Sequence, residues 1–137
     1  MSEQELYNIA MAAREKAWAP YSGFRVGAAL LAASGRVYAG CNIENAAYSA
    51  TVCAERTALF TAVAAGERQF SALCIVGGAG EAQSLTPPCG VCRQALREFC
   101  DPEMPILLFA GEGCVQRCTL GQLLPLSFGS EQLAKGE

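Results

Sequence analysis

The chain has 137 residues, room for one domain, spanning 1–137, with one hydrophobic core. A hydrophobic fraction of 52% against a charged fraction of 17% is that of a globular protein and excludes a disordered one. The net charge of −3 and the scattered basic residues lack the clustered Lys and Arg on which nucleic-acid affinity rests, so a small neutral or cationic ligand is expected in place of a polymer.

Along the chain, Ser2 and Glu5 have the spacing of a capping box, and Leu6, Ile9, Ala10, Ala13 and Ala17 follow at helical intervals until Pro20. Val26 to Ala33 is an apolar strand. Ser34-Gly35 turns it back into Val37, Ala39 and Cys41, which alternate along a returning strand. Cys53 to Ala65 is helical, with Gly66 as its stop. Ala72 to Val76 is the next strand. The run Gly77-Gly78-Ala79-Gly80 lacks the Lys-Ser/Thr of a phosphate loop and reads as a plain flexible loop. Pro87-Pro88 introduces a helix from about Cys89 to Phe99, ended by Asp101-Pro102. Ile106 to Ala110 and Cys114 to Cys118 are joined so briefly that they must pair antiparallel, and a helical turn follows near Leu120 to Leu124.

The order α-β-β-α-β-α-β-β predicts a mixed sheet covered by helices, an α/β architecture. Runs such as Val26 to Ala33 are too short to cross a bilayer, and the acidic opening Met1 to Glu5 is unlike a signal peptide. A soluble cytoplasmic protein with no membrane partner is expected.

Eight cysteines without a secretory signal point to metal binding or catalysis more than to a disulfide framework. The absence of histidine removes Ser-His-Asp and Cys-His schemes and every zinc site that uses imidazole. Two segments remain that can carry chemistry: Cys53-Ala54-Glu55 and Pro88-Cys89-Gly90-Val91-Cys92. Each places cysteine at a helix N-terminus, whose partial positive charge favours the thiolate that a metal needs. Cys89 and Cys92 share one face of a first turn, and Cys53 would be a third thiolate. Three protein ligands leave the fourth tetrahedral position open to water, as in catalytic zinc. Glu55 would then take a proton from water activated by the ion and return it to substrate and leaving group, the apparatus known from zinc deaminases of nucleobases.

These segments, with Ala19-Pro20-Tyr21-Ser22, Val26-Gly27-Ala28-Ala29-Leu30, Gly40-Cys41-Asn42-Ile43-Glu44-Asn45-Ala46 and Leu123-Leu124-Pro125-Leu126-Ser127-Phe128-Gly129, resemble the cytidine deaminases of the short, homotetrameric, all-cysteine type, over nearly the whole chain and in order. The resemblance implies a three-layer α/β/α sandwich with a five-stranded mixed sheet. It implies hydrolysis of cytidine and deoxycytidine to uridine and deoxyuridine in pyrimidine salvage, with attack at C4 of the base and release of ammonia. Matched position by position, Cys53, Cys89 and Cys92 correspond to ligands of one zinc per subunit, and Glu55 to the proton shuttle. Asn42 and Glu44 correspond to residues that hydrogen-bond the ribose 3′-hydroxyl. Phe24 corresponds to an aromatic lining the pocket, and Ala54 to backbone contacts with the base. Phe128 corresponds to an aromatic arriving from a neighbouring subunit, with Tyr48 near the same junction. Arg56 resembles an arginine that donates to ligand sulfurs.

Other readings stay open on residues alone. Cys89 and Cys92 could join Cys114 and Cys118 in a closed structural site, making the chain a non-catalytic zinc-stabilised scaffold. A sister deaminase acting on a modified cytosine nucleoside is a nearer rival. Cys41, Cys74, Cys100, Cys114 and Cys118 read as small hydrophobes or bystanders.

Overall fold

The computed structural model describes residues 1–133. The capping box forms as its sequence predicts: Ser2 Oγ accepts from Glu5 N, and the Glu5 carboxylate accepts from Ser2 N, opening helix α1 (Glu3–Arg14). Strands β1 (Phe24–Ala32) and β2 (Val37–Cys41) form the first hairpin. Helix α2 (Ala54–Ala64) leads into β3 (Phe70–Ala79), and helix α3 (Gly90–Arg97) into β4 (Pro105–Gly111). Strand β5 (Cys114–Thr119) and the one-turn helix α4 (Leu120–Leu123) follow. Two short 3₁₀ turns, Tyr48–Ala50 and Ser130–Gln132, carried no periodic signal.

The five strands form one mixed sheet in the order β2-β1-β3-β4-β5, with β3 and β4 parallel and the other neighbours antiparallel, including the expected β4–β5 pair. Alternation along the strands sorts the core into two faces. Ala29, Cys74, Val76, Leu107 and Phe109 meet Leu6, Tyr7 and Ala10 of α1. Val26, Ala28, Leu30, Leu73, Ile75, Ile106 and Leu108 meet Ala58, Leu59 and Ala62 of α2, Leu96 of α3 and Leu120 of α4. The result is the three-layer α/β/α sandwich.

Two glycines let the layers touch. A Cβ on Gly27 would stand 2.0 Å from Ala10 O of α1, and one on Gly40 would stand 2.5 Å from Ala54 O and Ala58 N of α2. Glycine is therefore required at both positions for backbone to lie on backbone. The glycine run after β3 corrects the sequence reading. Gly77, Gly78 and Ala79 belong to β3 and pair with Val26, Arg25 and Phe24, so they are strand and not a flexible loop. The glycines are needed there because the chain folds back over them: a Cβ on Gly78 would meet Ala82 O at 2.1 Å, and one on Gly77 would meet Thr86 Oγ1 at 2.6 Å.

What holds that returning segment is an arginine. Arg14, at the end of α1, is 1% exposed and in phase with the buried stripe four residues beyond Ala10. Its Nε donates to Arg25 O at 3.0 Å, and its Nη2 faces the carbonyls of Gly78, Gly80 and Ala82 at 3.0, 3.0 and 2.8 Å. A buried cation is tolerated because carbonyl oxygens replace its water. Arg14→Met keeps the bulk but strands those acceptors, and should lower unfolding free energy in urea by on the order of 3 kcal/mol. Arg14→Lys should recover only part of it, since an ammonium cannot span the same fork of acceptors. An unchanged urea midpoint for Arg14→Met would show that the carbonyls find other partners.

Candidate active site

Helices α2 and α3 lie on the same face of the sheet and pack against each other, which brings their N-termini together. Cys53 is the N-cap residue of α2 and Cys89 that of α3, with Cys92 one turn further on. Neither cap sulfur bonds the first-turn amides of its own helix. Instead the ligand atoms of Cys53, Cys89 and Cys92 lie within 4.8 Å of one another, and Cys53 and Cys89 Sγ are 3.7 Å apart.

That spacing fits a metal. Sulfurs each about 2.3 Å from one zinc ion stand roughly 3.8 Å apart when tetrahedral. Among the described residues no other Cys, Asp or Glu joins the group, and the chain has no histidine. Cys118 turns its thiol to Ile106 O instead, and Cys114 is exposed on β5. The closed four-cysteine site is therefore not formed.

The electrostatics follow from three sulfurs sharing one space. The Cys53 thiol is drawn down to about 5: a hydrogen bond from Cys92 contributes most, burial opposes it, and Arg56 and Cys89 add to the lowering. Cys92 is driven strongly upward, because it keeps the proton it donates to Cys53 and because it is buried. Arg56 Nη2 lies 3.6 Å from Cys53 Sγ. Burial works against its charge, but the bonds to Cys53 and Cys92 outweigh burial and raise its pKa. Its Nε is buried without a hydrogen-bond partner among the described residues, so the guanidinium is held there for the sulfurs at a cost of one unmet donor.

Glu55, the second residue of α2, is 3% exposed. Burial pushes its carboxyl up to about 7, helped by the Cys53 charge, while its own backbone N–H and Arg56 pull the other way. A carboxyl poised near neutrality can both accept and donate a proton.

These groups form the floor of a cleft of about 270 Å³. Cys53, Glu55 and Cys89 line it together with Phe24, Asn42 and Glu44. Ser22, Val26, Thr51, Val52, Thr86 and Pro87 complete the wall, and none of them is marked as a binding residue by sequence alone. They come from loops and strand ends, where no periodicity marks a binding residue; Ser22 and Val26 lie within motif segments. Ala54 is fully buried beside Cys53. Asn42 bridges to β1, its Oδ1 accepting from Val26 N at 2.8 Å and its Nδ2 donating to Phe24 O at 2.8 Å. Tyr48 lines an adjoining recess of about 230 Å³ with Tyr21, Glu44, Asn45 and Thr51. Phe128 does not line the cleft of its own chain; it is exposed, and its carbonyl accepts from Gln94 Nε2 of α3 at 3.0 Å.

The family model described as the cytidine and deoxycytidylate deaminase zinc-binding region matches residues 1–108. The chain belongs to this deaminase family. Among curated relatives, the cytidine deaminase of Sporosarcina psychrophila is 48% identical over 134 residues, covering 98% of this chain and 96% of its own. That of Halalkalibacterium halodurans is 44% identical over 133 residues, covering 97% and 98%. The crystal structure of cytidine deaminase from Burkholderia pseudomallei superposes with a TM-score of 0.86 at 47% identity, over 93% of this chain and all of that one. Membership in a zinc-binding deaminase family and a trio of sulfurs at zinc spacing agree on the metal.

Purified protein should carry close to one zinc per chain by elemental analysis. Cys89→Ala and Cys92→Ala should each lose most of it, whereas Cys114→Ala and Cys118→Ala should retain it. Retention in Cys92→Ala, or loss in Cys118→Ala, would assign the metal elsewhere.

Proposed function

We propose that the chain is a zinc-dependent cytidine deaminase that converts cytidine to uridine, and deoxycytidine to deoxyuridine, with release of ammonia. The observation that carries this reading is a buried carboxylate, Glu55, beside three convergent sulfurs at the floor of a nucleoside-sized cleft. Cys53, Cys89 and Cys92 are the ligands in this reading, and Glu55 is the proton carrier. The family also includes enzymes for a phosphorylated substrate, deoxycytidylate. Among the described residues no Lys or Arg lines the cleft or the adjoining recess, and Glu44 faces both, so an uncharged nucleoside suits the site better than a nucleotide.

A zinc ion held by the three sulfurs would supply the Lewis acidity that makes water a nucleophile near neutral pH. Glu55 does the rest by moving protons. It takes one from the attacking water as oxygen bonds to C4 of the base, and gives it to the ring nitrogen whose double bond to C4 is being broken. It then takes the remaining hydroxyl proton and hands it to the exocyclic amine, which leaves as ammonia while the carbonyl of uridine forms. Arg56 draws charge from Cys53 and Cys92 in this scheme. Phe24 and the backbone of Ala54 hold the base, and Asn42 and Glu44 hold the sugar; one amide proton of Asn42 remains for a ligand after its bond to Phe24 O.

Phe128 and Tyr48 complete the site of a neighbouring subunit in a homotetramer. Support comes from the exposed apolar side chains Tyr48, Leu126 and Phe128, 76%, 106% and 57% exposed, which a monomer would leave to water. Eight free cysteines suit a single catalytic domain working on pyrimidine salvage in a reducing cytoplasm, and among the described residues no helix is long and apolar enough to cross a membrane.

Glu55→Gln should keep its zinc and lose roughly 10²–10⁴-fold in turnover, followed by the ultraviolet change of cytidine and by ammonia release. Loss of zinc with activity would instead make Glu55 a ligand. Subunits carrying Glu55→Gln, inactive alone, mixed with subunits carrying Phe128→Ala, should regain part of the activity after exchange, because some junctions then hold both native residues. An active monomer in sedimentation would rule that arrangement out.

A further inference from the structure

The carboxylate of Glu44 is fixed before any ligand arrives. Its Oε1 accepts from Tyr21 N at 2.9 Å and from Ser22 N at 3.1 Å. Its Oε2 accepts from the Ser22 hydroxyl. These bonds hold the carboxyl below the usual carboxylate range, the Ser22 hydroxyl contributing most. An ionised carboxylate offers about four acceptor positions, so one on Oε2 is left for a hydroxyl in the cleft.

The Ser22 hydroxyl has a definite direction. Phe24 N donates to Ser22 Oγ at 3.0 Å, which occupies the oxygen as an acceptor and leaves its proton to Glu44. The turn that allows this passes through Gly23 at φ +70°, with Gly23 N donating to Ala19 O at 2.9 Å. The same stretch of β1 pins Asn42 through Phe24 O and Val26 N. Both side chains assigned to the sugar are thus aimed by residues 21–26, and Ser22 is the only side chain among those donors.

We propose that Ser22 is a positioning residue: its hydroxyl fixes Glu44 Oε2 in the orientation that receives the sugar 3′-hydroxyl. This rests on the reading of Glu44 as a sugar ligand. Without Ser22 the backbone donors still hold Oε1, but Oε2 is free to rotate or to take up water. The loss should therefore fall on substrate binding and only on substrates that carry the 3′-hydroxyl.

The test measures kcat and KM of the zinc-loaded wild type, Ser22→Ala, Ser22→Thr and Glu44→Gln proteins on cytidine and on 3′-deoxycytidine. For cytidine, Ser22→Ala should raise KM about tenfold, the scale of a lost hydrogen bond to a charged group, with kcat within about twofold. Ser22→Thr keeps the hydroxyl and should stay close to wild type. For 3′-deoxycytidine, Ser22→Ala and wild type should have the same kcat/KM. Equal losses on both substrates, a loss confined to kcat, or no loss at all would each overturn the proposal. If Glu44→Gln discriminates against the 3′-hydroxyl while Ser22→Ala does not, only the role of Ser22 falls. If wild type treats the two nucleosides alike and Glu44→Gln is silent, the sugar role of Glu44 falls, and the proposal with it.

Discussion

Three sulfurs within 4.8 Å of one another concentrate more potential negative charge than any other point described in this chain, and much of the structure is arranged around that charge. With no histidine available, no neutral imidazole can take the place of a thiolate. Compensation comes from the two helix N-termini that carry the cysteines and from Arg56, held against Cys53 even though its Nε goes unmet. The same crowding reaches Glu55, where burial and the Cys53 charge both favour the protonated carboxyl. One electrostatic fact thus bears on metal affinity, on Arg56 and on Glu55.

The contrast with the remaining cysteines makes the point by environment alone. Cys74 and Cys100 are buried in the sheet and at the end of α3, and burial drives both thiols up to about 12. Cys41 is raised for the same reason, with Lys16 only partly offsetting it. These residues behave as small apolar groups. Neither helix dipole nor guanidinium is shown acting on Cys74 or Cys100, and the residue type by itself decides nothing.

Much of this was legible in the sequence, for identifiable reasons. Apolar runs, alternation, helical spacing and Pro or Gly boundaries mark the helices and strands of the core, because each element buries one face or two. The cysteines stood out because two clusters sat at helix starts. Element ends were read less well: β1 begins at Phe24, two residues before its apolar run, and β3 continues through glycines that look like a loop. Glycine was needed there by the segment folding back over it, a contact between residues that the local pattern does not express. The burial of Arg14 is not legible in the sequence, because a charged residue reads as solvated unless its carbonyl partners are known, although its phase with Ala10 hints at burial. The walls of the cleft were invisible for a similar reason, since Thr51, Thr86 and Pro87 converge only after the sheet has formed.

Gly27 and Gly40 sit one register step apart on neighbouring strands and face opposite layers, Gly27 toward α1 and Gly40 toward α2. At this point the sheet is a thin septum with a helix backbone pressed on each side. Every substitution that replaces glycine adds at least a Cβ, and here a Cβ meets main chain that cannot swing aside. The cleft wall is less constrained, because Val52 and Pro87 meet the cleft with side chains and not with main chain pressed on main chain. A lineage carrying this fold can therefore drift in what its cleft admits while these two positions stay glycine, and libraries built to alter substrate range should leave them untouched.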